Sequence, residues 1–193
     1  MDERTDEELI SDYIEGDEHA FELLLARHID GLYSYMARHV GEPGLAEDLV
    51  QESSIKIWKN IKRYNSGTSK FKTWMLSIAR NSAIDQLRKK KSPVLSQFDD
   101  NEGGNPLLDT LEDDSPLADE LFAVQEDTEQ LVQALDELPP QYREILTLHY
   151  TNHLTLEEAS LVLNEPKNTT KSRHRRALLA LKARVAHMHP FNR

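Results

Sequence analysis

Between Lys56 and Lys91 the chain reads KIWKNIKRYNSGTSKFKTWMLSIARNSAIDQLRKKK, with eleven Lys or Arg against one acid, Asp85. Aromatic rings stand among those charges at Trp58, Tyr64, Phe71 and Trp74. Cations follow a phosphate backbone, and a flat ring that stacks on an unpaired base contributes about 1–3 kcal/mol. Any one of these rings taken alone fits a helix core. The cluster as a whole, set in an acidic protein, points to single-stranded nucleic acid. Within it Ser77, Asn81, Asp85 and Arg88 recur at helical spacing, flanked by Arg80, and form a polar face able to hold phosphates or base edges.

A second basic stretch lies near the end. From Lys167 to about His187 there are seven Lys or Arg and no acid. A short helix and a few-residue turn precede it, which is the helix-turn-helix pattern of duplex DNA readers. Thr169, Ser172, Arg173 and Arg176 are expected on the groove side, whereas Thr170, His174, Ala177, Leu178, Leu181 and Val185 are expected to face the other helices. A third pattern is acidic. Asp48, Gln51, Glu52 and Ile55, three and four apart, share a helix face. An isoleucine amid acids and an amide suggests a docking patch, although a solvated face with one stray apolar residue has the same pattern.

These residues need helices to hold them. Few strand-like alternations and only seven glycines in 193 residues predict an all-α protein. Thr5 and Glu8 form a capping box for a first helix, and Gly16 ends it. A second helix is expected over 17–40, a third over 45–64 and a fourth over 71–90. From Ser92 to about Ser115 the chain is rich in Pro, Gly, Asn, Asp and Ser, which predicts a flexible tether. A helix resumes near Leu117. Three more follow between Pro139 and Met188, the middle one capped by Thr155 with Glu158. The expected organisation is two small helical domains, 1–92 and 128–193, joined by an acidic flexible linker, 93–127.

The charge agrees with that division. The net charge is −11, yet residues 92–129 carry twelve acids and no Lys or Arg, while residues 130–193 carry nine basic and six acidic groups. The acidity thus belongs to the middle, and the flanks are near neutral or basic. There is no cysteine, which excludes disulfides and thiolate metal sites. The acidic start MDERTDEELI lacks a signal-peptide pattern, and no apolar run is long enough to span a bilayer. A cytoplasmic location with no membrane insertion is expected. The eight histidines include His187 and His189, but none pairs with a carboxylate at ligand spacing, so no metal, no cofactor and no catalytic residue is expected.

Taken together, the runs GDEHAFELLLARH, AEDLVQESSIKIWKNIKRY, FKTWMLSIARNSAIDQLRKKK, ALDELPPQYREILTLHY, LTLEEASLVL and KSRHRRALLALK resemble those of extracytoplasmic-function (ECF) sigma factors, bacterial transcription initiation subunits. The resemblance implies that Asp48, Gln51, Glu52 and Ile55 bind core RNA polymerase. It implies that Lys56, Lys59, Arg63, Tyr64, Lys70, Lys72, Thr73, Trp74, Arg80, Asn81, Asp85 and Arg88 open and read the minus-ten promoter element as single-stranded DNA. It assigns Lys167, Thr169, Lys171, Ser172, Arg173, Arg175 and Arg176 to the minus-thirty-five element in duplex DNA. An anti-sigma factor is a further implied partner, and stress response an implied setting. The chain departs from the family's pattern at Ser53, Ser54, Ala159, Glu165, Asn168, Thr170 and His174. A different reading of the same features is a sigma-like decoy that titrates an anti-sigma factor; a transcription assay separates the two.

Overall fold

The computed structural model describes residues 2–89 and 128–188, all of whose regular elements are helical. The acidic linker, the helix expected near Leu117 and Lys90, Lys91 and His189 lie outside the described residues. Helix α1 runs from Asp6 to Glu15 and starts as expected. Thr5 accepts the Glu8 N–H at 3.2 Å, and the Glu8 carboxylate accepts the Thr5 N–H at 2.6 Å. Gly16 ends it at φ 115°, a left-handed conformation that glycine adopts without a Cβ penalty. Helix α2, Glu18–Val40, is capped by Asp17. Helix α3 spans Pro43–Asn60 and tightens into a 3-10 turn at Ile61–Arg63. It begins two residues before the expected Leu45, because proline suits the first helical position, where an N–H has no partner within the helix. Helix α4 is Phe71–Lys89.

The second domain contains α5 (Thr128–Asp136), α6 (Pro140–Leu146), α7 (Leu156–Leu163) and α8 (Lys167–Met188). One feature differs from the expected regular helix through His149. After Leu146 the backbone widens into a π-helical turn, Thr147–Thr151, closed by the Asn152 N–H donating to the Thr147 carbonyl at 2.9 Å. Thr155 caps α7 with Glu158 in a second capping box, and Asn164 ends it at φ 54°.

Leu24, Leu32, Met36, Leu49, Ile57, Phe71 and Met75 fill the first domain, and Leu138, Ile145, Leu148, Val162, Leu178 and Leu181 fill the second. The two sets join in one continuous apolar cluster. Helix α2 packs against α6 and the π turn, and α4 packs along α7. The two domains are docked.

Candidate nucleic-acid and docking interfaces

On α3, Asp48, Gln51, Glu52 and Ile55 are all exposed. Ile55 is 52% exposed, and Trp58, one turn further on, is 50% exposed. Charged and amide groups surround two large apolar side chains that nothing in this chain covers among the described residues. Trp58 extends the patch beyond what its sequence pattern suggested. A tryptophan three residues after Ile55 was the available signal.

The basic stretch divides into three parts. Lys59, Arg63, Asn81, Asp85 and Arg88 stand in solvent. Lys56 is engaged, pairing with Glu52 at 2.7 Å and donating to the Ser82 hydroxyl at 3.0 Å. Tyr64 and Trp74 are half-buried, with ring centroids 5.5 Å apart, and both flank the buried Phe71. The Tyr64 hydroxyl donates to the Ser69 carbonyl at 3.0 Å, and burial, then Glu7, pushes its pKa up to about 12. These rings pack against one another at 54° and remain partly exposed.

The third part is covered. Thr73, Leu76 and Arg80, spaced three and four apart, form a second buried stripe on α4. Thr73 is a correction to the sequence reading. It is 1% exposed, and its hydroxyl lacks a hydrogen-bond partner, so it belongs to the interior. The Arg80 Nε–H donates to Glu144 of α6 at 2.9 Å. Glu144 also accepts the Tyr35 hydroxyl at 2.8 Å, and its Oε1 lies 3.5 Å from Nδ1 of His39. Burial pulls the Glu144 carboxyl up, but the charge of Arg80 and the hydrogen bonds from Tyr35 and Arg80 hold it below its ordinary value. Burial holds His39 below its ordinary value despite that carboxylate, so it stands there as a neutral imidazole. A small cleft lies beside them, lined by Tyr35, Arg38, His39, Pro140, Glu144 and Thr147. Lys70 reaches Glu158 of α7 at 2.9 Å, and Lys72 is half-buried, its pKa lowered by that burial. Sequence reasoning missed Tyr35, His39, Glu144 and Glu158. An acid two residues before Leu146 in an apolar stripe was the one hint.

In the helix-turn-helix, Lys171 is exposed, and Lys167 is exposed while pairing with Glu157 at 2.7 Å. Thr169, Arg175 and Arg176 are partly buried, and the Arg176 Nε–H donates to the Ser172 carbonyl at 3.3 Å. Ser172 is a second correction: it is buried at 6% exposure rather than facing a groove. Arg173 is tied to Glu165 at 2.6 Å, and Glu165 also accepts the Thr170 hydroxyl at 2.8 Å. His174 stacks on Tyr150 at 5.7 Å and meets His149 edge-on at 5.0 Å. Among the described residues no group of His, Asp and Glu is arranged to hold a metal, and no helix is long and apolar enough to cross a membrane.

The chain is similar to known proteins over both domains. Residues 24–92 match the Sigma-70 region 2 family and residues 128–181 match Sigma-70, region 4. The ECF RNA polymerase sigma factor SigW of Bacillus subtilis is 30% identical over 171 residues, 88% of this chain and 91% of the relative. The ECF RNA polymerase sigma-E factor of Escherichia coli is 30% identical over 187 residues, 94% of each. Among solved structures, the sigma factor RpoE in complex with the anti-sigma factor NepR from Bartonella quintana superposes with a TM-score of 0.61 at 23% identity, over 90% of this chain and 98% of that one. At that identity the likeness is one of fold.

Proposed function

The chain belongs to the ECF RNA polymerase sigma factors, and on that footing we propose how its surfaces divide the work. Residues 1–92 dock on core polymerase and handle the minus-ten element, 128–193 bind the minus-thirty-five element, and 93–127 connect them. The protein acts in the cytoplasm as a specificity subunit with no catalysis of its own. The observation that carries the docking assignment is the exposed face of Asp48, Gln51, Glu52 and Ile55, which Trp58 extends. The exposed Lys59, Arg63, Asn81 and Arg88 hold the phosphates of the opened strand, and the partly exposed Tyr64 and Trp74 offer rings to its bases. Lys171 and Lys167 supply duplex contacts, with Arg175 and Arg176 beside them. The sigma factor RpoE, whose fold is similar, is in complex with the anti-sigma factor NepR, and an anti-sigma factor is a partner of this chain on the same reading.

Run-off transcription with core polymerase on promoter libraries tests the function. Asp48→Ala with Glu52→Ala should leave the circular dichroism spectrum unchanged and weaken core polymerase binding at least about ten-fold, or about 1.4 kcal/mol. Unchanged affinity would remove the docking assignment. Failure to start transcription from any template, with anti-sigma binding intact, would instead favour the decoy reading.

A further inference from the structure

The second domain turns two carboxylates toward the first. Glu144 takes the Arg80 guanidinium at 2.9 Å, and Glu158 takes the Lys70 ammonium at 2.9 Å. Residues 130–193 hold six acids against nine basic groups, and two of those acids address one surface of the neighbouring domain. The cations they meet are two of those that the resemblance gives to the single strand.

A carboxylate and a phosphodiester accept the same donors from guanidinium and ammonium groups. We propose that Glu144 and Glu158 stand in for phosphates, so that the docked second domain is an internal competitor of the DNA strand. The proposal rests on reading Lys70 and Arg80 as strand contacts. The two ion pairs differ in depth. The Arg80 side chain is 13% exposed, and a strand reaches it only after α6 and α7 withdraw. Lys70 remains 76% exposed, so its pair lies at the rim and holds weakly. Glu144 Oε2 has no hydrogen-bond partner. A buried carboxylate with an unmatched oxygen offsets less of its desolvation cost than a fully bonded one, which keeps closure reversible. A chain that is closed about nine-tenths of the time binds a strand about ten-fold more weakly than an open one.

The full chain has no cysteine, so Glu47→Cys and Val132→Cys give one exposed label site in each domain. Interdomain distance is read by energy transfer, and affinity by anisotropy on a fluorescein-labelled, mixed-sequence, 20-nucleotide single strand (a probe length of about that size covers one small domain). Glu144→Gln with Glu158→Gln removes charge while keeping size, and Gln preserves the α7 capping box. The labels should move apart and the strand should bind about ten-fold more tightly at low salt, with the gain shrinking as salt rises. Glu158→Gln alone, outside the buried hub, should give a smaller gain and guards against misfolding of the double variant. Labels that stay together, or that separate with no gain in affinity, would overturn the competition. Adding Arg80→Ala and Lys70→Ala to the opened chain should cancel the gain. A gain that persists would overturn the assignment of those two cations to the strand, while leaving the domain contact standing.

Discussion

His39 shows how a single side chain gives this protein a pH dependence. Its ring is 1% exposed, lies 5.5 Å from the Tyr35 ring and is held neutral by burial below its ordinary value near 6.5. The unfolded chain therefore binds a proton that the folded chain refuses. For such a depressed pKa, the stability is fully present above the unfolded value and declines as pH falls through it toward the folded one. Glu144 adds the same direction of change below its ordinary value near 4.5. Denaturant unfolding should accordingly show stability falling between pH 7 and pH 5, by at most about 1.4 kcal/mol per pH unit for this one proton. His39→Phe, which keeps a ring against Tyr35, should flatten that slope. A variant with the wild-type slope would assign it to another group.

At the scale of elements, the family departures in the helix-turn-helix compensate one another. Glu165 and Thr170 replace apolar packing with a hydrogen bond, and Glu165 at the same time fixes Arg173. His174 is accommodated by a stack of rings from the π turn rather than by an aliphatic pocket. Ala159 is fully buried, leaving room for close approach of α7 to its neighbours. The start of α7 depends on Thr155, whose hydroxyl accepts the Glu158 N–H at 3.1 Å. Thr155→Ala should lower stability by about 1 kcal/mol, the usual cost of losing such a cap. Because Glu158 also faces Lys70, the same substitution should loosen the domain contact. Chemical denaturation together with the interdomain distance measures both effects, and a change in neither would mean that the cap is redundant.

For the whole molecule, the decisive feature is that two domains share one apolar cluster. A core that runs through both couples their unfolding, since separating them exposes apolar surface at about 25 cal/mol per Å². Calorimetry at neutral pH and low salt should therefore give a single transition with matching calorimetric and van't Hoff enthalpies. Glu144→Gln should split it into two by weakening the contact that joins them. Two transitions already present in the wild-type chain would show that each domain folds on its own terms.

The helices, their caps and the two-domain order were legible in the sequence because each is a local matter. Thr5 with Glu8, Gly16 and Thr155 with Glu158 act within four residues of themselves, and helical periodicity places Leu24, Ile57 or Leu178 inward without reference to distant chain. The family, too, could be read from runs of residues in order. The burial of Thr73, Ser172 and Arg80 could not. The periodicity of α4 gives one inward stripe, and only the arrival of α6 and α7 from more than sixty positions away covers a second. Glu144 illustrates the reason: nothing within its own helix distinguishes a solvated acid from one that receives Tyr35 and Arg80 in the interior. Local interactions are written in local sequence, whereas a buried ion pair depends on which surfaces meet, and that only the tertiary structure decided.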